Sequence, residues 1–279
     1  MKVSGFTFIR NAIQYDFPVV EAIRSALPIV DEFIVNVGRS EDNTLELIQS
    51  IDSSKIKIIE TVWDDSLKEE GRIFGIQQDI ALRHCTGDWA LCLQADEVLH
   101  EDDYPAIQGA MTQYLFDPQV LGLVFSMRHF KGDYWSIDPW MYRKATRIVR
   151  NRETIRSTTD CCDFVAEGVK GMLKSGPHAR LINARIFHYG WVKDPEVLKR
   201  KLIFQISRHD GKHLSEEEID FQAYLRAQFP TYSILKEYRG THPIVMSERI
   251  ARSRRLRPRI NRWLNLAFYR EIFKHGFKG

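Results

Sequence analysis

At 279 residues, with 44% apolar and 11% aromatic side chains, the chain has the length and composition to bury one large core, which excludes a disordered or low-complexity protein. Its net charge of +3 is unevenly spread: residues 249–279 hold ten Lys or Arg against the single acid Glu271, a local +9 that leaves −6 for the rest. An acidic body argues against a nucleic-acid surface, while the basic tail suits an anionic partner.

The N-terminal part repeats one unit: an apolar run, a polar turn, then a segment of helical period. The runs fall at 3–9, 32–37, 55–59 and 88–93. The intervening helices are expected after Pro18, at 45–51 and at 72–84. This alternation predicts an α/β fold with a mostly parallel sheet flanked by helices, whose ligands collect outside the carboxyl ends of the strands. Further strands are expected at 120–129, 145–150 and 179–187, forming a mixed or antiparallel extension of the sheet. From 195 onward the period is helical, at 195–208 and again at 215–226, and residues 263–273 are apolar with basic flanks. The expected division is therefore a sheet domain over 1–195 and a helical C-terminal annex over 196–279.

The sequence shows no apolar run of about 18 residues that would read as a membrane span. Its first residues alternate like a strand and reach Arg10 too soon for a secretory signal, so a cytoplasmic location is expected. Cys85, Cys92, Cys161 and Cys162 match neither a zinc ribbon nor a CxxC pair and read as reduced thiols. The basic tail reads either as a solvated helix face or as an amphipathic helix lying on anionic lipid at the inner face of the membrane.

Two stretches carry chemistry. Asp96 and Glu97 follow a buried-looking strand, where a carboxylate needs a cation partner. A divalent Mg or Mn ion holding a diphosphate would be one, while Glu101, Asp102 and Asp103 read as caps for the next helix. His188 follows an apolar strand and precedes a turn containing Gly190, as either a satisfied core histidine or a ligand.

The order of these motifs resembles the family-two glycosyltransferases, which are inverting enzymes of GT-A fold. The features are a first strand ending in Arg10-Asn11, a turn over 38–44 after the second, and an acidic motif at 94–97. Trp63-Asp64, Gln94 to Glu97 and His188 to Trp191 are closer to a bacterial branch of that family. The resemblance spans about residues 1–195. It implies a nucleoside-diphosphate sugar lying across the strand ends, bordered by Arg10, Asn11, Ser40, Asp42, Asp64 and Arg72. It also implies a metal held by Asp96, Glu97 and His188, and a saccharide or lipid-linked acceptor. Two positions depart from the family pattern: Gly38 stands where an acid is usual, and Gln94 replaces the first acid of the metal motif.

The acceptor hydroxyl needs a general base, and Asp160 is the candidate, with Asp163 or Glu167 as alternatives. Two other functions stay open. A nucleotidyltransferase would be expected to carry a glycine-rich phosphate loop after the first strand, which Arg10-Asn11-Ala12-Ile13 lacks. A catalytically silent nucleotide-sugar-binding protein could keep the same fold.

Overall fold

The computed structural model describes residues 1–67, 70–209 and 235–255, together with 269–270 and 272–273. Four parallel strands form one half of the sheet: β1 (Val3–Ile9), β2 (Glu32–Gly38), β3 (Ile56–Thr61) and β4 (Trp89–Cys92), in the order β3-β2-β1-β4. Their connections carry helices α1 (Val19–Ala26), α2 (Thr44–Gln49) and α3 (Arg72–Arg83). β1 and β2 are buried along almost their whole length, with Ser4, Thr7, Glu32 and Asn36 among the buried residues.

A short strand β5 (Glu97–Leu99) and helix α4 (Tyr104–Gln113) lead into the other half of the sheet. There β6 (Gly122–Lys131), β7 (Ser136–Ile137) and β8 (Lys144–Arg150) are followed by the hairpin β9 (Ile155–Ser157) and β10 (Phe164–Ala166). β8 runs antiparallel to both β4 and β6, so β6 points the same way as β1 to β4. The long β11 (Ala179–Trp191) lies parallel to β6 and antiparallel to β5. The carboxyl ends of β1, β4, β6 and β11 therefore share one edge, and the site is built there. α5 (Pro195–His209), β12 (Lys236–Glu237) and α6 (Ser247–Arg252) complete the described chain.

One face of the sheet packs Phe33, Trp89, Leu91 and Phe125 against Val19, Ile23 and Ile107 from α1 and α4. The other packs Phe6, Ile34 and Cys92 against Ala81 and Leu82 of α3 and against Phe164 of β10. A smaller cluster of Phe130, Phe187, Tyr189 and Met246 ties the 235–252 segment onto β6 and β11. Fully burying side chains of this size contributes about 1.5–3 kcal/mol each.

The α/β architecture expected from the sequence is the one observed. Two details differ and both move site residues. β11 runs on to Trp191, so His188 lies inside a strand rather than after one. Glu97 opens a strand of its own, paired opposite His188. Neither was visible as periodicity, because these short polar stretches are held by the strands on either side and not by an apolar pattern. The expected helix at 215–226 and most of 263–273 lie outside the described residues. All four cysteines are free thiols.

Candidate functional site

A cavity of about 200 Å³ lies outside the carboxyl ends of β1 and β4, with Arg10, Trp63, Phe74, Asp96, Asp160 and Lys201 in its wall. Arg10, one residue beyond β1, donates to Glu41 and to Asp65, each at 3.0 Å, and its guanidinium carbon lies 5.8 Å from the Trp63 ring centre. Trp63 in turn packs against Phe8 and Phe74, both with centroids 6.0 Å away, and Phe204 of α5 stands 6.0 Å from Phe74. The result is an aromatic wall with a cation at its edge.

Gly38, the last residue of β2, makes room for this wall: a Cβ there would come within 2.4 Å of the Trp63 indole nitrogen. The indole thus fills the space in which any side chain at position 38 would stand. Its N–H finds no acceptor among the described residues.

The residues expected to border a nucleotide separate into two groups. Arg10 lines the cavity. Asn11, Ser40 and Asp42 face each other instead. Asn11, at φ 55°, donates its side-chain amide to Glu41 and its backbone N–H to Ser40 Oγ, and accepts from the Glu41 N–H. Asp42 accepts from the Gln14 N–H at 2.7 Å and from both the N–H and hydroxyl of Thr44. These bonds lock the loop after β1 to the loop after β2 and so shape the rim that carries Arg10. Asp64 is exposed and caps a turn by accepting from the N–H and hydroxyl of Ser66; its neighbour Asp65 is the one that meets Arg10. Arg72 is exposed on the first turn of α3 and is absent from the cavity wall.

The acidic motif divides as well. Asp96 lies in the tight turn closed by the Glu97 N–H on the Gln94 carbonyl, one residue before β5 begins. Asp96 faces the cavity, while Glu97 turns into the sheet and receives the Arg147 guanidinium in a two-pronged pair, 2.6 Å from Nε and 2.7 Å from Nη2. Both partners are buried, and the Glu97 carboxylate lifts the Arg147 pKa well above its usual value against the opposing effect of burial. Glu97 is thus neutralised by an arginine and not by a metal. Among the described residues no group of three His, Cys, Asp or Glu side chains is assembled to hold a metal ion, so the expected Asp96-Glu97-His188 set is not formed. The cap role expected of 101–103 also changes: Asp103 binds the backbone N–H and the guanidinium of Arg185, and Glu101 accepts from the Ile244 N–H.

Asp96 and His188 do converge, with Asp96 Oδ1 3.6 Å from His188 Nε2. The protonation of that nitrogen follows from its neighbours. Burial pushes His129 down to about 4 and His188 down to about 3, so both rings are neutral near pH 7. His129 Nε2 lies 2.7 Å from the Tyr142 carbonyl and must carry the proton, which leaves its Nδ1 as an acceptor. His188 Nδ1, 3.3 Å away, donates to it, and His188 Nε2 is left as a bare lone pair facing a carboxylate oxygen. Two Lewis bases at that spacing fit adjacent positions in the shell of one divalent cation, the remaining positions falling to phosphate oxygens and water.

The other oxygen of Asp96 already has a cation. Lys201 of α5 donates to Asp96 Oδ2 at 3.0 Å and to the Gly190 carbonyl at 2.9 Å. Burial works against the charge on Asp96, but Lys201 foremost holds its carboxyl well below the usual range. A Cβ on Gly190 would lie 2.4 Å from Asp96 Oδ2 and 2.9 Å from Lys201 Nζ, so only glycine lets the strand carry this pair. Lys193, pushed down to about 7 by burial and by Lys201, donates to the Asp16 carbonyl and, like Lys201, lies within 5 Å of the Phe17 ring centre, at 4.8 and 4.9 Å.

Asp160 lines the same cavity from the tight loop between β9 and β10. Its Oδ1 accepts from the Thr158 hydroxyl at 2.8 Å and the Cys162 N–H at 3.2 Å. Burial raises its pKa, yet bonds from Cys162 and Thr158 outweigh this and hold it below the usual value. Two side chains from elsewhere aim the loop: Gln94 donates to the Cys161 carbonyl and Arg147 to that of Cys162. Gln94 therefore anchors the Asp160 loop. Asp163, the alternative base, is buried beneath this loop, with Lys174 3.8 Å away. Sequence reasoning missed Lys201, Arg147 and His129. Nothing in the run Lys199-Arg200-Lys201 marks which of the three turns inward.

The chain is thus an α/β protein with an aromatic, cation-edged cavity across its strand ends and Asp96 in the cavity wall. The family model described as "Glycosyl transferase family 2" matches residues 18–167, more than half of the chain, and the chain belongs to that family. Among curated proteins it is 26% identical over 168 residues to a TPR repeat-containing protein of Synechococcus elongatus, matching 59% of this chain and 37% of that one. The chain thus spans little more than a third of that relative's length. Among solved structures it is similar to S. aureus TarS, at 14% identity and TM-score 0.42, covering 83% of this chain and 44% of TarS. It is also similar to mannosyl-3-phosphoglycerate synthase from Rubrobacter xylanophilus, at 16% identity and TM-score 0.35, covering 54% of this chain and 53% of that one.

Proposed function

We propose that the chain is a glycosyltransferase that moves a sugar from a nucleoside-diphosphate sugar to an acceptor hydroxyl with inversion. The observation that carries this reading is the single cavity in which Arg10, Asp96 and Asp160 meet an aromatic wall, in a chain of this family. The nucleoside lies along Trp63 and Phe74 with Arg10 at its edge, and the diphosphate lies toward Asp96. Asp96 and His188 would hold a divalent ion, which as a Lewis acid stabilises charge on the departing diphosphate. Asp160, ionised and aimed into the cavity, accepts the proton of the attacking hydroxyl. Its low basicity fits late proton transfer, after the glycosidic bond has largely broken.

An acceptor needs a second space. A cleft of about 640 Å³ adjoins the first, with Asp16, Lys193 and Arg249 in its wall, and Phe17 and the paired lysines stand between the two. A saccharide or lipid-linked acceptor in cell-surface polysaccharide or glycolipid synthesis, with the basic tail resting on anionic lipid, belongs to the same proposal. Among the described residues no helix is long and apolar enough to cross a membrane.

The test is turnover. With a panel of nucleotide sugars and glycan acceptors, wild type releases nucleoside diphosphate in step with product, and the new linkage has the opposite anomeric configuration. A protein that binds a nucleotide sugar yet releases nothing with any acceptor is a binder, and the proposal then fails.

A further inference from the structure

The cation that Asp96 needs is already present as part of the chain. Lys201 is almost wholly buried, 3% exposed, yet it stands in the wall of the donor cavity. Two of its three N–H bonds are spent, on Asp96 Oδ2 and on the Gly190 carbonyl. No third acceptor is found among the described residues. The Phe17 and Trp191 rings, 4.9 and 5.5 Å from Nζ, flank the ammonium and keep it from being lost to solvent. The absence of a side chain at Gly190 leaves room for the pair. An ammonium desolvated on two sides, fixed by a carboxylate and a carbonyl, and left with one donor beside a cavity is a preorganised anion contact.

The remaining charges of the cavity say which anion. Arg10, also in the cavity wall, is engaged by Glu41 and Asp65, while Asp96 and Asp160 both line the cavity as carboxylates. A diphosphate entering beside two carboxylates meets repulsion unless a cation stands between, and Asp96 and His188 supply at most two protein ligands for a metal.

We propose that Lys201 is a substrate-contacting cation for the donor diphosphate, in addition to any ion on Asp96 and His188. It binds the diphosphate directly, so that nucleoside-diphosphate binding persists when divalent ions are removed. The inference rests on the donor-site reading above and deepens it: stabilisation of the leaving group is shared between a built-in ammonium and an exchangeable ion. Lys201 moves no proton and forms no bond; it neutralises charge.

The experiment is calorimetric titration of the full chain with UDP, GDP, dTDP and the matching monophosphates, each with manganese and with chelator. In chelator, wild type binds one diphosphate more tightly than its monophosphate. Lys201→Met weakens that diphosphate roughly ten- to a hundred-fold, the worth of one hydrogen bond to a charged group, and leaves the monophosphate nearly unchanged. Lys201→Arg, which keeps the charge, retains part of the preference. The comparison of di- with monophosphate on wild type stands even if the Met variant does not fold. Binding of a diphosphate in manganese but not in chelator overturns the role of Lys201 and leaves the donor site intact, as does a Met variant that binds like wild type in chelator. No binding of any diphosphate under either condition removes the donor-site reading itself.

Discussion

The pair between Glu97 and Arg147 makes the sharpest prediction, because it separates a structural carboxylate from a metal-binding one. Glu97→Gln keeps the shape and removes the charge. The amide oxygen can still accept one guanidinium N–H, but its NH2 group then faces the other, where the wild-type contacts are 2.6 and 2.7 Å. Arg147 stays charged and 1% exposed, with no water to replace what it has lost. An amide oxygen at the Oε2 position keeps the Gln94 N–H and Arg147 Nε and strands Nη2, whereas the opposite flip strands both of the former. Removing one partner of a buried pair costs about 3–5 kcal/mol, a large share of the roughly 5–15 kcal/mol that holds a domain together. Urea unfolding should show this as a lowered midpoint at unchanged slope. The double variant Glu97→Leu with Arg147→Met should recover part of the loss, since no charge is then stranded. The manganese-dependent gain in nucleotide affinity should survive in the folded single variant. A loss below about 1 kcal/mol, the scale of a solvent-exposed pair, together with disappearance of that gain, would refute the argument and return Glu97 to the metal.

Three further outcomes are expected. Gly38→Ala places a methyl group within 2.4 Å of the Trp63 indole and should cost about 1–3 kcal/mol while weakening nucleotide binding; unchanged melting and affinity would show that Trp63 is not the base wall. Asp160→Asn should lower kcat by about 10²–10⁴ with donor affinity intact, and because the carboxyl is held below its usual value, wild-type rates should show no loss near neutral pH from this group. An equal fall in donor affinity would make Asp160 a binding residue. For Glu32, burial opposes the charge, but hydrogen bonds from Lys57, Ser4 and Thr86 outweigh it and hold the carboxyl at about 2 against an ordinary 4.5. A depressed folded-state pKa gives stability that is present above 4.5 and lost as the pH falls toward 2. The stability gap between wild type and Glu32→Gln should close over that window, and a gap independent of pH would contradict the assignment.

The strand–helix alternation was legible because it is a local property. Each strand carries a mostly apolar run followed by a polar turn and a segment of helical period, so β1 to β4 and α1 to α3 are readable from spacing. The same logic put Arg10 and Asp96 near the strand ends, and the cavity has both in its wall together with Asp160, which was read separately as an acid on a loop. Which way each side chain points is not local. Asp96 and Glu97 are adjacent and chemically alike, yet one faces the cavity and the other an arginine fifty positions away in sequence. Asp64 and Asp65 exchange roles through a turn, and Asp42 is spent on Gln14 and Thr44. Lys201 reads as one of three basic residues on a helix until α5 is laid against β11 and Gly190. Composition and periodicity fixed where a site would form, since burial of apolar surface sets the layers. The partners of each charge were decided only by tertiary packing, because a buried ion is placed by the one group that can neutralise it, and that group comes from a distant strand or helix.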